Sequence, residues 1–332
     1  MSKIFISGSE GFIGSHLVEL LLKRNYKIKA FCLYNSFNSC GWLETINPKL
    51  KRKLEIGFGD LRDINTIEEH IKDCTSVIHL GALVAIPYSY IAANSYIDIN
   101  VRGTLNLIES AKKNGIKKLT HISTSEVYGS AQFLPISEKH PINPQSPYAA
   151  SKAAGEHIVS AFHKSFNLPI SIVRPFNTFG PRQSLRAIIP SIILQILKKS
   201  KVEIGSIYPK RDFTYVDDTV RGIIDVHESS KTVGKVINLG SNFSISIKDL
   251  VEICEKILGR KKKIIVSKHR FRPTKSEVDH LLCDPNLAKK LIGWKSTCRD
   301  ISGLEKCLRK FVVWLKNGKN LEYYGDSSKF IL

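Results

Sequence analysis

Ile4-Phe5-Ile6-Ser7-Gly8-Ser9-Glu10-Gly11-Phe12-Ile13-Gly14 is the stretch that decides the fold. A short apolar run meets three glycines in GxxGxxG spacing and passes at once into an amphipathic segment. A strand, a glycine turn and a helix in that order form the opening βα unit of a dinucleotide-binding domain, although the commoner fingerprint is GxGxxG. The physical demand is similar. Bare backbone lets a pyrophosphate approach the helix N-terminus, where free N–H groups and the helix dipole favour an anion. Gly8, Gly11, Phe12 and Ile13 are therefore candidate phosphate contacts. A plain tight turn is the competing reading of three glycines, but their place between first strand and first helix favours binding.

Working outward, short β-branched runs alternate with helical segments, the signature of βαβ units and a parallel sheet. Strands are predicted at residues 3–7, 27–32, 54–58, 76–80, 118–123 and 170–173, and helices at 12–24, 66–71, 95–114 and 147–166. In the third helix Ile99, Leu105, Leu107, Ile108 and Ala111 recur near helical spacing, and Asn114-Gly115 marks its stop. After Arg174 the alternation loosens, and a strand-like run at 235–239 is placed to rejoin the sheet. The predicted fold is α/β, a Rossmann-type doubly wound parallel sheet with a smaller, discontinuous α/β substrate domain. Residues 1–174, rejoined by 211–243, are expected to make the dinucleotide-binding domain, and 175–210 and 244–332 the substrate-binding domain. The polar tail from Asn317 is expected to be loosely held.

Of the 332 residues 42% are hydrophobic and 24% charged, the balance of a soluble globular protein with a full core. Seven scattered cysteines, without a CxxC pair, argue for reduced thiols in the cytoplasm, and no metal site is assigned. The start of the sequence lacks the pattern of a signal peptide, and the longest apolar stretch, interrupted by Pro190 and Gln195, is too short to span a bilayer. The formal charge of +20 is spread over short runs such as 49–53, 198–201 and 260–263, without interleaved aromatics. Solvated surface charge, rather than nucleic-acid binding, is the reading adopted, with a share of it available to attract an anionic diphosphate.

The chemistry is carried by two further stretches. Pro147-Tyr148-Ala149-Ala150-Ser151-Lys152 puts Tyr148 and Lys152 on one helical face. An ammonium beside the phenol would lower its pKa, so that Tyr148 exchanges a proton with a substrate hydroxyl while Lys152 reaches the nicotinamide ribose. A surface pair is the usual meaning of such spacing taken alone. The fifth strand ends in Ser123-Thr124-Ser125-Glu126-Val127-Tyr128-Gly129, and ligands of open parallel sheets sit at the carboxyl ends of strands. Thr124 is thus placed to bond the reacting substrate oxygen and Glu126 to present a carboxylate beside it. The second strand runs out in Leu33-Tyr34-Asn35 with neither the acid that takes the ribose hydroxyls of NAD nor an arginine for the 2′-phosphate of NADP. Both cofactors stay open, with NAD preferred. Asp60 is read as an adenine contact or, alternatively, a helix cap.

These segments, with His79-Leu80-Gly81-Ala82, Asn100-Val101-Arg102-Gly103-Thr104, Arg174-Pro175-Phe176-Asn177 and Arg211-Asp212-Phe213-Thr214-Tyr215-Val216-Asp217-Asp218, resemble the extended short-chain dehydrogenase/reductases over nearly the whole chain. Within them, Leu33-Tyr34-Asn35-Ser36-Phe37-Asn38-Ser39, Gly41-Trp42-Leu43, Ala85-Ile86-Pro87-Tyr88-Ser89-Tyr90 and Arg272-Pro273-Thr274-Lys275-Ser276-Glu277-Val278 resemble the GDP-N-acetylglucosamine 4,6-dehydratases of legionaminic acid synthesis. Ser125 departs from the Asp that dTDP-glucose dehydratases carry before the Glu, which leaves open the donor of the proton to the leaving hydroxyl.

The resemblance implies a lyase with tightly bound NAD or NADP that is regenerated in each turnover. Thr124, Ser125, Glu126, Tyr148 and Lys152 are its catalytic set. The cofactor contacts it implies are Asn35, Asp60, Leu61, Leu80, Ala82 and Asn100 beside the glycine turn, and Tyr148 and Lys152 at the nicotinamide end. Pro87, Asn177, Arg211 and Arg272 are the substrate contacts, the two arginines matching diphosphate. Carbon 4 of the sugar is oxidised for a moment, Glu126 removes the carbon 5 proton, and water leaves from carbon 6. The rivals are a UDP-glucuronate decarboxylase, in which Arg182 would serve the extra carboxylate, a nucleotide-sugar 4-epimerase, and a non-catalytic dinucleotide sensor. Members of the family pair through two helices, here those beginning near Ser95 and Pro147, so a homodimer is expected.

Overall fold

The computed structural model describes residues 3–322, the side chain of Lys268 excepted. The apolar runs of the first half form six strands: β1 (Lys3–Ser7), β2 (Lys27–Leu33), β3 (Leu54–Gly59), β4 (Ser76–His79), β5 (Lys118–Ile122) and β6 (Ile170–Pro175). β4 and β6 are buried along their whole length, as the strands of a sheet covered on both faces must be. Further strands are β7 (Asn177–Phe179), β8 (Lys201–Ile204), β9 (Lys210–Tyr215), β10 (Val236–Leu239), β11 (Ser244–Ser246) and β12 (Lys263–Val266).

Seven of these make one sheet in the order β3-β2-β1-β4-β5-β6-β10, with every pairing parallel. From β1 the chain winds outward through β2 and β3, then returns to β4 and winds the other way. The reversal therefore falls between β1 and β4, the point where the carboxyl ends of an open sheet leave a crevice. Helices Phe12–Lys23 and Val216–Glu228 cover one face through Leu17, Leu21, Val220 and Ile224. Helices Ile64–Ile71, Gly103–Lys113 and Pro147–Phe166 cover the other through Ile67, Leu107, Ile108 and Val159.

A second apolar core lies between helices Ile188–Lys198, Ile247–Leu258 and Ile301–Lys316. It is backed by a three-stranded sheet, β11-β9-β7, and a two-stranded pair, β12-β8. The fold is thus α/β of the Rossmann type with a smaller α/β unit built from separated segments. Residues 211–215 of the rejoining stretch lie in the three-stranded sheet, whereas Val216–Glu228 and β10 lie with the large one.

The helix predicted over 95–114 is interrupted. Ala93–Tyr96 and Gly103–Lys113 are α-helical, but Ile97–Arg102 is a π-helix. Such a widened turn re-aims the side chains it carries. Here it carries the buried Asn100, which accepts from the Leu83 N–H at 2.8 Å and donates to Ser151 Oγ at 2.9 Å. The tail from Asn317 begins with a short helix, Gly318–Glu322, tied by Asn320 Nδ2 to the Trp314 carbonyl at 2.9 Å; its remainder, residues 323–332, lies outside the described residues.

Candidate active site

The glycine turn is as tight as its composition implies. Gly8 has φ +67°, and a Cβ there would meet Gly81 Cα at 2.8 Å; a Cβ at Gly14 would meet the Gly8 carbonyl oxygen at 2.1 Å. Packing therefore requires both. Gly11 differs, since its Cβ would find only an ordinary contact at 3.5 Å. The protein itself does not demand a glycine there, which fits a backbone kept bare for a ligand's approach. Gly11 is also the N-cap of helix Phe12–Lys23, and no side chain caps that helix. Its first N–H groups are left for an external acceptor, as a pyrophosphate would supply. The turn is fixed from below by Ser7 Oγ, which pairs with His79 Nδ1 at 2.7 Å and accepts from the Gly81 N–H at 3.2 Å.

Tyr148 and Lys152 come from the first turns of helix Pro147–Phe166, whose N-cap Ser146 accepts from the Ala149 N–H at 3.1 Å. Both side chains are buried. The Tyr148 phenol shares a hydrogen bond with the Thr124 hydroxyl, and burial pushes its pKa up, with the nearby Glu126 charge acting the same way. The expectation that Lys152 lowers the phenol is not met in this arrangement. The ammonium of Lys152 instead donates to the Ile122 carbonyl at 2.7 Å, and its burial brings its own pKa from 10.5 to about 8, against the opposing pull of Glu156. His79 and His121 pack against each other nearby, their rings tilted at 48° with centroids 5.2 Å apart, and burial first, then the Lys152 charge, lowers the pKa of both.

Thr124 ends the segment after β5 and caps a tight turn, Ser125–Tyr128, by accepting from the Glu126 N–H at 3.2 Å. That turn brings the Glu126 carboxylate, only 8% exposed, beside the phenol. Facing it is Arg272, with Nη1 3.7 Å from Glu126 Oε2. Arg211, on β9, lies in the same electrostatic neighbourhood and pairs with Glu277 at 2.8 Å; burial lowers its pKa. Three buried polar atoms of this region, Ser123 Oγ, Asn177 Oδ1 and Arg272 Nη1, have no hydrogen-bond partner among the described residues. Unpaired buried polar atoms in a cleft are the groups a polar ligand would satisfy.

Thr124, Glu126, Tyr148, Arg211 and Arg272 are thus brought together, and Lys152 stands directly behind them. Ser125 is buried in the same turn, Asn177 starts β7 in register with Phe213, and Gly8, Leu80 and Ala82 lie along the β1–β4 crevice. Other predicted contacts are engaged within the protein. Asp60 is not the cap of helix Ile64–Ile71, a position held by Asp63; it accepts instead from Arg62, with Nη2 2.6 Å away. Asn35 bridges its own loop through the Ser39 carbonyl at 2.8 Å, Leu61 packs in the core under Gly103, and Pro87 is the exposed second residue of the short helix Ile86–Ser89.

Sequence reasoning missed Glu277, the pairing of Arg272 with Glu126, and the buried Arg174–Glu156 pair. It also gave no role to Asp212, whose carboxylate accepts from the N–H groups of Ser241 and Cys283 at 2.7 and 3.0 Å. Within the Arg211–Asp218 motif the two fully enclosed acids, Asp212 and Asp218, hold loops rather than substrate. Only the unusual burial of a charge would have flagged them, and burial is not written in one sequence.

A dinucleotide crevice at the sheet's reversal, with a tyrosine, a lysine and a carboxylate at the end of β5, defines an enzyme of the class that rearranges nucleotide-activated sugars with a nicotinamide cofactor. The comparisons agree, and the chain belongs to the GDP-mannose 4,6 dehydratase family, which it matches over residues 5–307. It is 31% identical over 320 residues to a putative UDP-glucose 4-epimerase of Methanocaldococcus jannaschii, covering 95% of this chain and 98% of that protein. It is 33% identical to a dTDP-D-glucose 4,6-dehydratase of Dictyostelium discoideum, over 76% of this chain and 61% of that one. The UDP-glucuronic acid 4-epimerase of Bacillus cereus, solved with UDP-glucuronic acid and NAD, superimposes with a TM-score of 0.85 at 30% identity, over 94% of this chain and 99% of that one.

Proposed function

We propose that this chain is a nucleotide-sugar 4,6-dehydratase, and that its substrate is GDP-N-acetylglucosamine, converted to the 4-keto-6-deoxy sugar. The observation that carries the reading is the Glu126 carboxylate held in the site beside Tyr148 and Thr124. Dehydration needs a base for the carbon 5 proton in addition to the group that serves the carbon 4 hydroxyl, whereas epimerisation at carbon 4 needs only the latter. The departure at Ser125 bears on which group protonates the leaving hydroxyl, and Glu126, directly or through the Ser125 hydroxyl, is the group positioned for it. GDP-N-acetylglucosamine rests on the sequence resemblance of the segments at 33–43, 85–90 and 272–278.

The bare backbone of the Gly8–Gly14 turn fits a dinucleotide, which when bound supplies the acceptor and donor of the sugar's hydride. Taking the proton of the carbon 4 hydroxyl requires Tyr148 as phenolate, a form that the positive charge of the oxidised nicotinamide would favour once the cofactor is bound, and Thr124, already hydrogen-bonded to the phenol, would fix the same oxygen. Glu126 takes the carbon 5 proton. Arg272 faces Glu126 across 3.7 Å, and with Arg211 it offers two guanidinium forks to the diphosphate. Arg182, the cation a decarboxylase would need, pairs with Glu19 at 2.7 Å on helix Phe12–Lys23. We read the protein as a homodimer paired through the helices that begin near Ser95 and at Pro147.

The deciding experiment is mass spectrometry after incubation with a panel of nucleotide sugars. Loss of water, and only from GDP-N-acetylglucosamine, supports the full reading. Loss of water from another member keeps the reaction and replaces the substrate. An isomer of unchanged mass, or loss of carbon dioxide, removes the dehydratase assignment.

A further inference from the structure

The glycine turn contains a carboxylate that the reaction above leaves unused. Glu10 sits between Gly8 and Gly11, and its Oε1 accepts from the backbone N–H of Leu33, the last residue of β2, at 3.0 Å. Its Oε2 is sealed from solvent with no hydrogen-bond partner among the described residues. Its backbone is held as well, because the Trp42 N–H donates to its carbonyl at 3.1 Å and Gly41 packs so closely that a Cβ there would lie 2.9 Å from the same oxygen. Burial raises the carboxyl pKa, and the Leu33 N–H opposes that rise. A buried acceptor with an unused oxygen carries its desolvation penalty uncompensated, unless a ligand donates to it.

The position of this carboxylate is informative. In a dinucleotide fold the adenosine ribose lies at the carboxyl end of the second strand, beside the first glycine turn, and an acid at that strand end takes its 2′-hydroxyl. This chain has no acid in Leu33-Tyr34-Asn35. Tyr34 points outward at 72% exposure, and the Asn35 amide is spent on Ser39 and the Leu33 carbonyl. The Glu10 carboxylate, reaching across from the turn to the Leu33 N–H, lies where the missing acid would act.

We propose that Glu10 accepts a hydrogen bond from a hydroxyl of the adenosine ribose through Oε2, and that the chain thereby selects NAD over its 2′-phosphorylated form. A hydroxyl donates to a carboxylate, which only accepts. A 2′-phosphate brings negative charge against it and needs a cation. Residues 33–41 contain neither Lys nor Arg, and Arg62, at the end of β3, is already paired with Asp60 at 2.6 Å.

This inference rests on the dinucleotide reading of the turn, and the test separates the two. The full-length chain, with any co-purified dinucleotide removed and identified, is titrated calorimetrically with NAD and with NADP, as wild type and as Glu10→Gln. The glutamine keeps an oxygen for the Leu33 N–H but removes the charge. Wild type should bind NAD at least about tenfold more tightly than NADP, and the variant should narrow that ratio by about tenfold, the scale of a charge-assisted hydrogen bond. An equal or reversed preference in wild type, which needs no variant to measure, overturns the proposal. So does a ratio unchanged in Glu10→Gln, because a purely structural role would weaken both cofactors alike. Failure of wild type to bind either cofactor overturns the dinucleotide reading along with it.

Discussion

Replacing Lys152 by methionine should make the protein more stable at neutral pH while abolishing its chemistry. Lys152 is 4% exposed, and burial carries its pKa from 10.5 to about 8. At about 1.4 kcal/mol per pH unit, keeping this ammonium buried costs roughly 3 kcal/mol of folding free energy at pH 7. The folded pKa is the lower one, so between about pH 8 and 10.5 the unfolded chain binds more protons and wild-type stability rises with pH. Methionine removes the penalty but also removes the donor to the Ile122 carbonyl, 2.7 Å from Nζ, a loss of about 1–3 kcal/mol. The net gain expected at pH 7 is therefore about 0–2 kcal/mol, fading to nothing or reversing by pH 10. Urea denaturation of both proteins across this range, without added dinucleotide, measures the difference and cancels the titration of all other groups. A variant less stable than wild type at pH 7, or a difference constant from pH 7 to 10, would refute the claim that the lysine is held at a cost to the fold.

Glu126→Gln should retain dinucleotide binding but lose most water elimination, seen as survival of unreacted nucleotide sugar by mass spectrometry; unchanged turnover removes Glu126 from the mechanism. Tyr148→Phe should block the first oxidation, so reduced-nicotinamide absorbance on mixing with substrate contradicts its role. Glu156→Gln strands the guanidinium of Arg174, which is 3% exposed and whose Nε lies 3.0 Å from Glu156 Oε2, and should cost about 3–5 kcal/mol in chemical denaturation. A loss under about 1 kcal/mol would show the charge rehydrated. Light scattering at micromolar concentration should give a dimer mass, and a monomer would count against pairing through the two helices.

Much of the fold was legible because its determinants are local. The glycine triplet, the β-branched runs and the alternation with helices each follow from the side chains of a few consecutive residues, and the strand ends fall within two residues of their predicted places. Helix Pro147–Phe166 has the predicted bounds because Ser146 caps it and Pro147 suits its first turn. The π segment Ile97–Arg102 was not legible, because its cause is tertiary: Asn100 is held by Leu83 and Ser151, and Gly155 packs so closely that a Cβ would lie 2.8 Å from the Asn100 carbonyl oxygen. The site divides in the same way. Tyr148 with Lys152, and Thr124 with Glu126, are neighbours in the chain, so each pair could be read locally, and the motifs around them, not their spacing alone, marked them as a site. Their electrostatics waited for the fold, which commits Lys152 to a carbonyl, sets Arg272 against Glu126 from more than a hundred residues away, and leaves one oxygen of Glu10 unpaired. Charge and burial depend on everything that surrounds a group, and a single sequence records only what precedes and follows it.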